Sequence, residues 1–119
     1  MPTEVATPVF DRDAVLDMVD GEIEFLHELI EMFLDDLPNY RDSLKSAIDD
    51  DDPATLQQTA HRMKSSVGNL GGREAQAAVI DLEKIARAGD LTNAPELLES
   101  CNEKLDRFSA VLNSVLEEV

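Results

Sequence analysis

The sequence lacks the features that mark several classes of protein. It has one cysteine, Cys101, so no disulfide can form within the chain, and a reducing compartment suits it. It has no tryptophan and only 4% aromatic residues, so its core must consist mainly of aliphatic side chains. Glycine and proline number five each, and no segment is of low complexity. The length of 119 residues fits a single domain.

Positive charge is also scarce. Ten Lys and Arg residues stand against 26 Asp and Glu, which gives a formal net charge of -16. A chain with this charge repels nucleic acid and anionic membranes, so we expect neither as a partner. The same charge favours a monomer, and it predicts that natural partners present a basic or apolar docking face.

Long apolar segments are missing as well. None approaches the roughly 20 residues that span a bilayer. The N-terminus has neither the basic nor the apolar region of a secretory signal, and we expect a cytoplasmic protein. Residues 1–9 contain two prolines and no periodic pattern. We expect them to form a flexible lead-in to one domain over residues 10–119.

Apolar residues recur at alternating steps of three and four, which is the spacing of amphipathic helices, and no strand pattern is present. We predict a short helix over residues 12–19 behind an N-cap at Asp11, and a long helix over about 22–49 that is kinked at Pro38. Three more follow: one over residues 53–70, capped by Asp52 and ended by Gly71, one over 73–88, ended by Gly89, and one from a capping box at 93–96. The inward stripe of the long second helix is Ile23, Leu26, Ile30, Phe33, Leu37, Tyr40, Leu44 and Ala47. The stripes of the last two helices are Ala75, Val79, Leu82 and Ala86, and Ala94, Leu98, Cys101, Leu105, Phe108, Leu112 and Val115, so Cys101 is predicted to be a small core residue. These elements predict an all-α fold, an antiparallel four-helix bundle with the short N-terminal helix at one end.

The third long segment places a histidine on its outer side. Its inward positions are Leu56, Ala60, Met63, Val67 and Leu70. His61 therefore faces solvent, and none of the 26 acids falls between Pro53 and Arg73. The neighbours of His61 on that face are Gln57, Gln58, Lys64, Ser65 and Gly68.

These residue types suit a phosphoryl acceptor. An imidazole with an ordinary pKa of about 6.5 is a competent nucleophile near pH 7. Phosphoryl transfer depends mostly on positioning and charge stabilisation. Lys64 can meet the anionic oxygens, and Gln57 or Gln58 can donate a hydrogen bond. The small residues Ser65 and Gly68 leave a flat clearing in which a second protein can dock.

Residues 60–72, AHRMKSSVGNLGG, resemble the signature of histidine-containing phosphotransfer (HPt) domains, roughly A-H-x-L-K-G-x-S-x-x-x-G. His61 matches the phosphorylated histidine, Lys64 the lysine, and Gly71 the closing glycine. Ser65 stands where glycine is usual, and Val67 stands where a small residue is usual. Residues 25–38 and 82–90 resemble two further helices of that family.

The resemblance implies a carrier in a multistep His-Asp phosphorelay. Such a domain accepts a phosphoryl group from an aspartate of one receiver domain and passes it to another. Its expected partners are response-regulator receivers and a hybrid histidine kinase. The receiver supplies Mg²⁺, so we expect no cofactor or metal on this chain, and no Walker or kinase motif indicates an ATP site. Docking is implied to use an apolar patch, for which the candidates are Val15, Val19, Phe25 and Leu29.

Other functions remain open on the sequence alone. A phosphorylation-independent adaptor bundle is the main alternative. A metal-binding bundle is another, because Glu24 and His27 have the spacing of a di-iron ligand pair, but a second pair is missing and we interpret His27 as a surface residue. The acidic run 49–52 lacks the spacing of an EF-hand. A histidine kinase dimerisation domain is a weaker alternative. It would need two long helices followed by an ATP-binding domain, and this sequence fits neither requirement.

Overall fold

The computed structural model describes residues 9–117, and the regular structure within them is entirely helical. Helix α1 spans Arg12–Met18, α2 spans Ile23–Asp49, α3 spans Pro53–Asn69, α4 spans Arg73–Ala88 and α5 spans Ala94–Glu117. The predicted all-α architecture and its helices are confirmed. The predicted lead-in lies, except for Val9, outside the described residues. Over residues 9–117, no helix is both long and apolar enough to cross a membrane.

The helix ends follow from local chemistry. The side chain of Asp11 accepts a hydrogen bond from the backbone N–H of Ala14 at 3.2 Å, and Asp52 accepts one from Thr55 at 3.1 Å. Both are N-caps that satisfy donors left free in a first turn. Pro38 lies inside one continuous helix, as predicted, rather than between two.

The apolar stripes predicted on α3, α4 and α5 are all buried. On α2 the stripe is buried from Leu26 onwards, except that Tyr40 is half-buried. Ile23 was predicted to face inward, but it is the first residue of the helix and is 37% exposed. Cys101 is fully buried, and this burial raises the pKa of its thiol to about 11. It is therefore an unreactive core residue, as the sequence predicted.

The four long helices pack as a closed bundle. Helix α3 packs against α2 and α4, and α5 completes the ring against both. Ion pairs bridge the outer seams: Arg41 of α2 to Asp106 of α5 at 2.7 Å, and Arg107 of α5 to Glu74 of α4 at 2.9 Å.

The short helix α1 covers the end of the bundle at the turn between α3 and α4. The backbone N–H of Asp11 donates to the carbonyl oxygen of Gly71 at 2.8 Å, and the ring of Phe10 packs against Phe108. Gly71 has a φ of +76° and lies against Asp11 and Val15, so both its backbone conformation and its surroundings favour glycine. The closing glycine of the motif thus joins three helices.

His27 is the second histidine, and its interpretation as a surface residue is wrong. It is half-buried, and its Nε2 is enclosed without a hydrogen-bond partner. In the part of the chain that the structure describes, no group of three or more His, Cys, Asp or Glu side chains could hold a metal ion.

Candidate functional site

The exposed face of α3 presents His61 beside a carboxylate from the next helix. The His61 side chain is 66% exposed, and its Nδ1 lies 2.8 Å from Oε2 of Glu83 on α4. Glu83 is only 4% exposed. One nitrogen of an exposed imidazole therefore forms a hydrogen bond with a buried carboxylate.

Glu83 has two further partners. The Nζ of Lys64 donates to its Oε1 at 2.8 Å, and a guanidinium nitrogen of Arg87 lies 3.5 Å from Oε2. The hydrogen bond from Lys64 holds the pKa of Glu83 below its ordinary value. Burial opposes this effect, whereas the His61 contact and the charges of Lys64 and Arg87 add to it. The carboxylate is thus ionised at neutral pH although it is buried.

The charge of Glu83 decides which nitrogen of His61 carries the proton. An ionised carboxylate can only accept hydrogen bonds, so Nδ1 of His61 must be the donor. In the neutral ring the lone pair then lies on Nε2, the nitrogen that does not face Glu83. The site therefore offers a nucleophilic Nε2 on an exposed ring whose orientation is fixed from the other side.

Lys64 was predicted to lie one helical turn after His61 and to meet the phosphoryl oxygens, and no partner was predicted for it. It is instead 28% exposed and held by Glu83, which keeps its ammonium next to the ring. Of the two glutamines, Gln57 is half-buried and Gln58 is exposed. Neither makes a hydrogen bond to His61 among the described contacts, so the structure does not bring them into the His61–Glu83–Lys64 cluster.

Gly68 has a packing role that the sequence did not predict. The amide of Gln76 on α4 lies over it and donates to the backbone carbonyl oxygen of Lys64 at 3.2 Å. A Cβ at position 68 would lie 2.9 Å from the side-chain carbon Cδ of Gln76 and closer still to its nitrogen. The interpretation of Gly68 as an open docking surface is therefore incomplete, because the missing side chain makes room for Gln76.

Three surface concavities adjoin this part of α3, and two of them include residues predicted to serve docking. A polar pocket of about 440 Å³ lies between α1, α3 and α4, and Lys64, the exposed Ser65 and Gly68 line it. An apolar groove of about 380 Å³ lies between α2 and α3, and its lining includes Phe25, Leu29, Met32, Ser66 and Leu70. We call this second concavity the α2–α3 groove.

Of the four residues predicted to form an apolar docking patch, two line the α2–α3 groove and two lie in the core. Phe25 is 46% exposed, and both it and Leu29 line the α2–α3 groove. Val15 and Val19 are only 2% and 4% exposed, so their assignment to a docking patch is wrong. These valines attach α1 to the bundle. Met32, 62% exposed, also lines the α2–α3 groove and is an apolar surface residue that the sequence analysis did not name.

The family model of the Hpt domain matches residues 28–116, which include the His61 cluster and most of the bundle. The chain belongs to the HPt domain family. HPt domains are phosphocarriers, so this one acts in histidine phosphotransfer within a phosphorelay. Its fold is similar to the crystal structure of histidine-containing phosphotransfer protein B (HptB) from Pseudomonas aeruginosa PAO1, with a TM-score of 0.88 and 23% identity over 96% of this chain and 99% of that one. Among curated proteins, no match is found.

Glu83 is the residue of this HPt domain's site that sequence reasoning missed. The absence of acids from residues 53–73 suggested that no carboxylate lies near His61, but α4 brings one within 2.8 Å. A signal was present, since position 83 adjoins the predicted inward positions 79, 82 and 86 of α4. A charged residue beside a buried stripe indicates a partner on a neighbouring element.

Proposed function

We propose that Nε2 of His61 is the phosphoacceptor and that its donor and acceptor are aspartates of two receiver domains. The observation that carries this proposal is the contact between Nδ1 of His61 and the buried, ionised Glu83. It supports one tautomer of an exposed ring, with the nucleophilic lone pair on Nε2. A phosphorylation-independent adaptor has no need of such an arrangement.

The transfer step follows from this tautomer. The Nε2 lone pair attacks the phosphorus of an aspartyl phosphate, the P–O bond to the aspartate breaks, and the aspartate leaves as a carboxylate with the bonding electrons. The ring then carries Nε2–phosphoryl and Nδ1–H and is formally cationic, and Glu83 stabilises that charge. In the reverse direction the P–N bond breaks and neutral imidazole leaves. No proton has to move in either direction, which suits a reversible carrier.

Lys64 has two roles in this proposal. Its ammonium balances the charge of Glu83, so the phosphoryl group does not face an uncompensated carboxylate. It also stands one helical turn from His61, where it can meet the phosphoryl oxygens as negative charge arrives. Arg87, 62% exposed and also beside Glu83, supplies a second cation to the same region.

The remaining chemistry belongs to the partner. We propose that the receiver holds the Mg²⁺ for the reaction, and that this domain is a carrier without an ATP site or cofactor of its own. The α2–α3 groove supports docking of a receiver through apolar contacts with the helix that carries His61. The net charge supports a monomer, and the single buried thiol suits a cytoplasmic location.

The proposal is tested by phosphoryl transfer from a panel of phosphorylated receiver domains to wild type and to His61→Gln. We expect label on wild type only, lost in acid and retained in base, because phosphoramidates are acid-labile. Phosphorus–nitrogen coupling in NMR spectra of ¹⁵N-histidine protein should assign the bond to Nε2. Label on Nδ1, or equal labelling of His61→Gln, would contradict the proposed acceptor. An unlabelled protein that still binds receivers would favour the adaptor.

A further inference from the structure

Charge is unevenly distributed between the two halves of the bundle. Residues 53–88, which form α3, α4 and the turn between them, contain five of the ten cations but three of the 26 acids. Since α3 and α4 pack side by side, this segregation along the sequence becomes one face of the molecule. We call it the cationic face, and its basic members are Arg62, Lys64, Arg73, Lys84 and Arg87.

Two of the three acids on these helices are already neutralised. Glu83 is buried against Lys64, His61 and Arg87, and Glu74 is bound by Arg107 of α5. Only Asp81 is left as an exposed carboxylate on α3 and α4. The cationic face therefore keeps more positive charge than its composition suggests.

Arg62 and Lys84 contribute most of this uncompensated charge. Both are exposed, and neither forms an ion pair with a residue in the range 9–117. Arg62 follows His61 directly, and Lys84 follows Glu83 directly. Arg62 lies on the α2 side of α3, where it lines a concavity together with Asp36, and Lys84 lies exposed on α4. Each of the two helices thus carries one cation without an ion pair next in sequence to the His61–Glu83 pair.

The rest of the molecule has the opposite character. The other 23 acids lie outside residues 53–88. Some of the cations in that part of the chain are neutralised by ion pairs, since Arg41 pairs with Asp106 and Lys45 pairs with Asp49. A protein of net charge -16 therefore presents positive charge where His61 lies and negative charge elsewhere. An approaching charged protein experiences a field that depends on the face it meets.

We propose that the cationic face selects a partner protein whose surface around its phosphoryl-bearing carboxylate is acidic, and that Arg62 and Lys84 determine this specificity. The inference rests on the proposed role of His61. An acidic partner is repelled by the acid-rich faces and steered to His61, which raises the rate of productive encounter. A basic partner is drawn to the other faces, away from the reacting nitrogen. The preference for basic partners expected from net charge is thus reversed at the site.

The test measures the rate of phosphoryl transfer from a phosphorylated receiver that labels wild type, at salt concentrations of about 0.01 M and about 1 M. The Debye length falls from roughly 30 Å to roughly 3 Å over that range, so steering is removed at high salt. Lys84→Glu and Arg62→Glu are compared with Lys104→Glu. Lys104 lies on α5 and is likewise without an ion pair among the described residues, so its reversal gives the same net charge as Lys84→Glu.

We expect wild-type transfer to slow as salt rises. At low salt Lys84→Glu and Arg62→Glu should each slow it on the order of tenfold, and Lys104→Glu by less than about twofold, with the differences vanishing at high salt. Equal slowing by Lys84→Glu and Lys104→Glu would overturn the proposal, because net charge alone would then act. Salt-independent rates would overturn it too.

A small-molecule phosphoryl donor distinguishes an effect on protein docking from an effect on the reactivity of His61. Phosphoramidate should label Lys84→Glu within about twofold of the wild-type rate, since it needs no protein docking; loss of that labelling would overturn the specificity role. Failure of the proposed function is distinguishable, because wild type would then accept no phosphoryl group from any receiver at either salt concentration. If wild type is labelled and neither Lys84→Glu nor Arg62→Glu changes the rate, the specificity role of the cationic face is overturned, whereas the phosphoacceptor role of His61 is not.

Discussion

Nδ1 of His61 lies 2.8 Å from Oε2 of Glu83, a residue 22 positions further along the chain and on the neighbouring helix. The motif around His61 contains the proposed nucleophile and Lys64, but the carboxylate that contacts the ring lies outside it. Packing of α3 against α4 therefore determines which nitrogen can react. Substitutions that separate the two helices should affect transfer as well as stability.

Replacing Glu83 by Gln should destabilise the fold at pH 7, by about 1–3 kcal/mol, because buried hydrogen bonds to charged partners are lost. The pKa of Glu83 is lowered in the folded state, so the carboxylate stabilises the fold above its ordinary pKa of 4.5. That contribution is lost as the pH falls through the lower folded value. Urea unfolding at several pH values should therefore show wild type and Glu83→Gln converging below about pH 4.5. Glu99→Gln, an exposed change on α5, serves as the control; a constant gap across all pH values would contradict the assignment.

Replacing Lys64 by Ala should slow phosphoryl acceptance on the order of tenfold or more. The phosphoryl oxygens lose a cation, and Glu83 is left with Arg87 as its remaining charged partner. Single-turnover transfer from a phosphorylated receiver measures the effect, with Lys104→Ala as a matched loss of a lysine elsewhere. A rate equal to that of Lys104→Ala would exclude the proposed role of Lys64.

Replacing Ser65 by Gln should block docking, because Ser65 is exposed one helical turn after His61 and a longer side chain fills the clearing. Transfer from receivers should fall at least about tenfold, while labelling by phosphoramidate continues, since the clearing serves docking rather than chemistry. Ser46→Gln makes the same change on an exposed position of α2 near its end. Normal receiver transfer in Ser65→Gln would mean that the receiver docks elsewhere.

Gly68 and Gln76 should be energetically coupled. In the wild-type background Gly68→Ala gains up to about 1 kcal/mol of helix stability but displaces the Gln76 amide from the Lys64 carbonyl, so the two effects nearly cancel. In a Gln76→Ala background that clash is absent, and Gly68→Ala should stabilise the protein by about 0.5–1 kcal/mol. A double-mutant cycle by urea unfolding measures the coupling. Additive effects would show that Gln76 does not require glycine at position 68.

Gly71→Ala should be strongly destabilising, by at least about 2 kcal/mol. The residue has a φ of +76°, and a Cβ there would lie 2.6 Å from a methyl group of Val15 and 2.8 Å from the backbone oxygen of Asp11. Thermal unfolding is the measurement. Gly89→Ala is the control, because Gly89 has the same φ but open space around its Cβ position. Equal losses would mean that backbone conformation alone, and not the docking of α1, requires Gly71.

Local pattern was sufficient to predict most of the fold. The helix spacing, the caps at Asp11 and Asp52, and the stops at Gly71 and Gly89 depend on interactions within a few residues, which a sequence displays directly. The motif and the acid-free segment likewise led to the prediction of His61 and Lys64 as site residues. The errors concern residues whose environment is set by other helices: Val15 and Val19 under the bundle end, the enclosed Nε2 of His27, and Gly68 beneath Gln76.

The helical bundle, the exposure of His61 and the family of the chain could all be read from the order of its residues. The contact of Glu83 with His61, the binding of Lys64 to Glu83 and the gathering of the cations of α3 and α4 on one face became visible once the helices were packed. The difference arises because helix periodicity determines which side of a helix a residue occupies. The packing of helices against each other determines which side chains from different helices come within hydrogen-bonding distance.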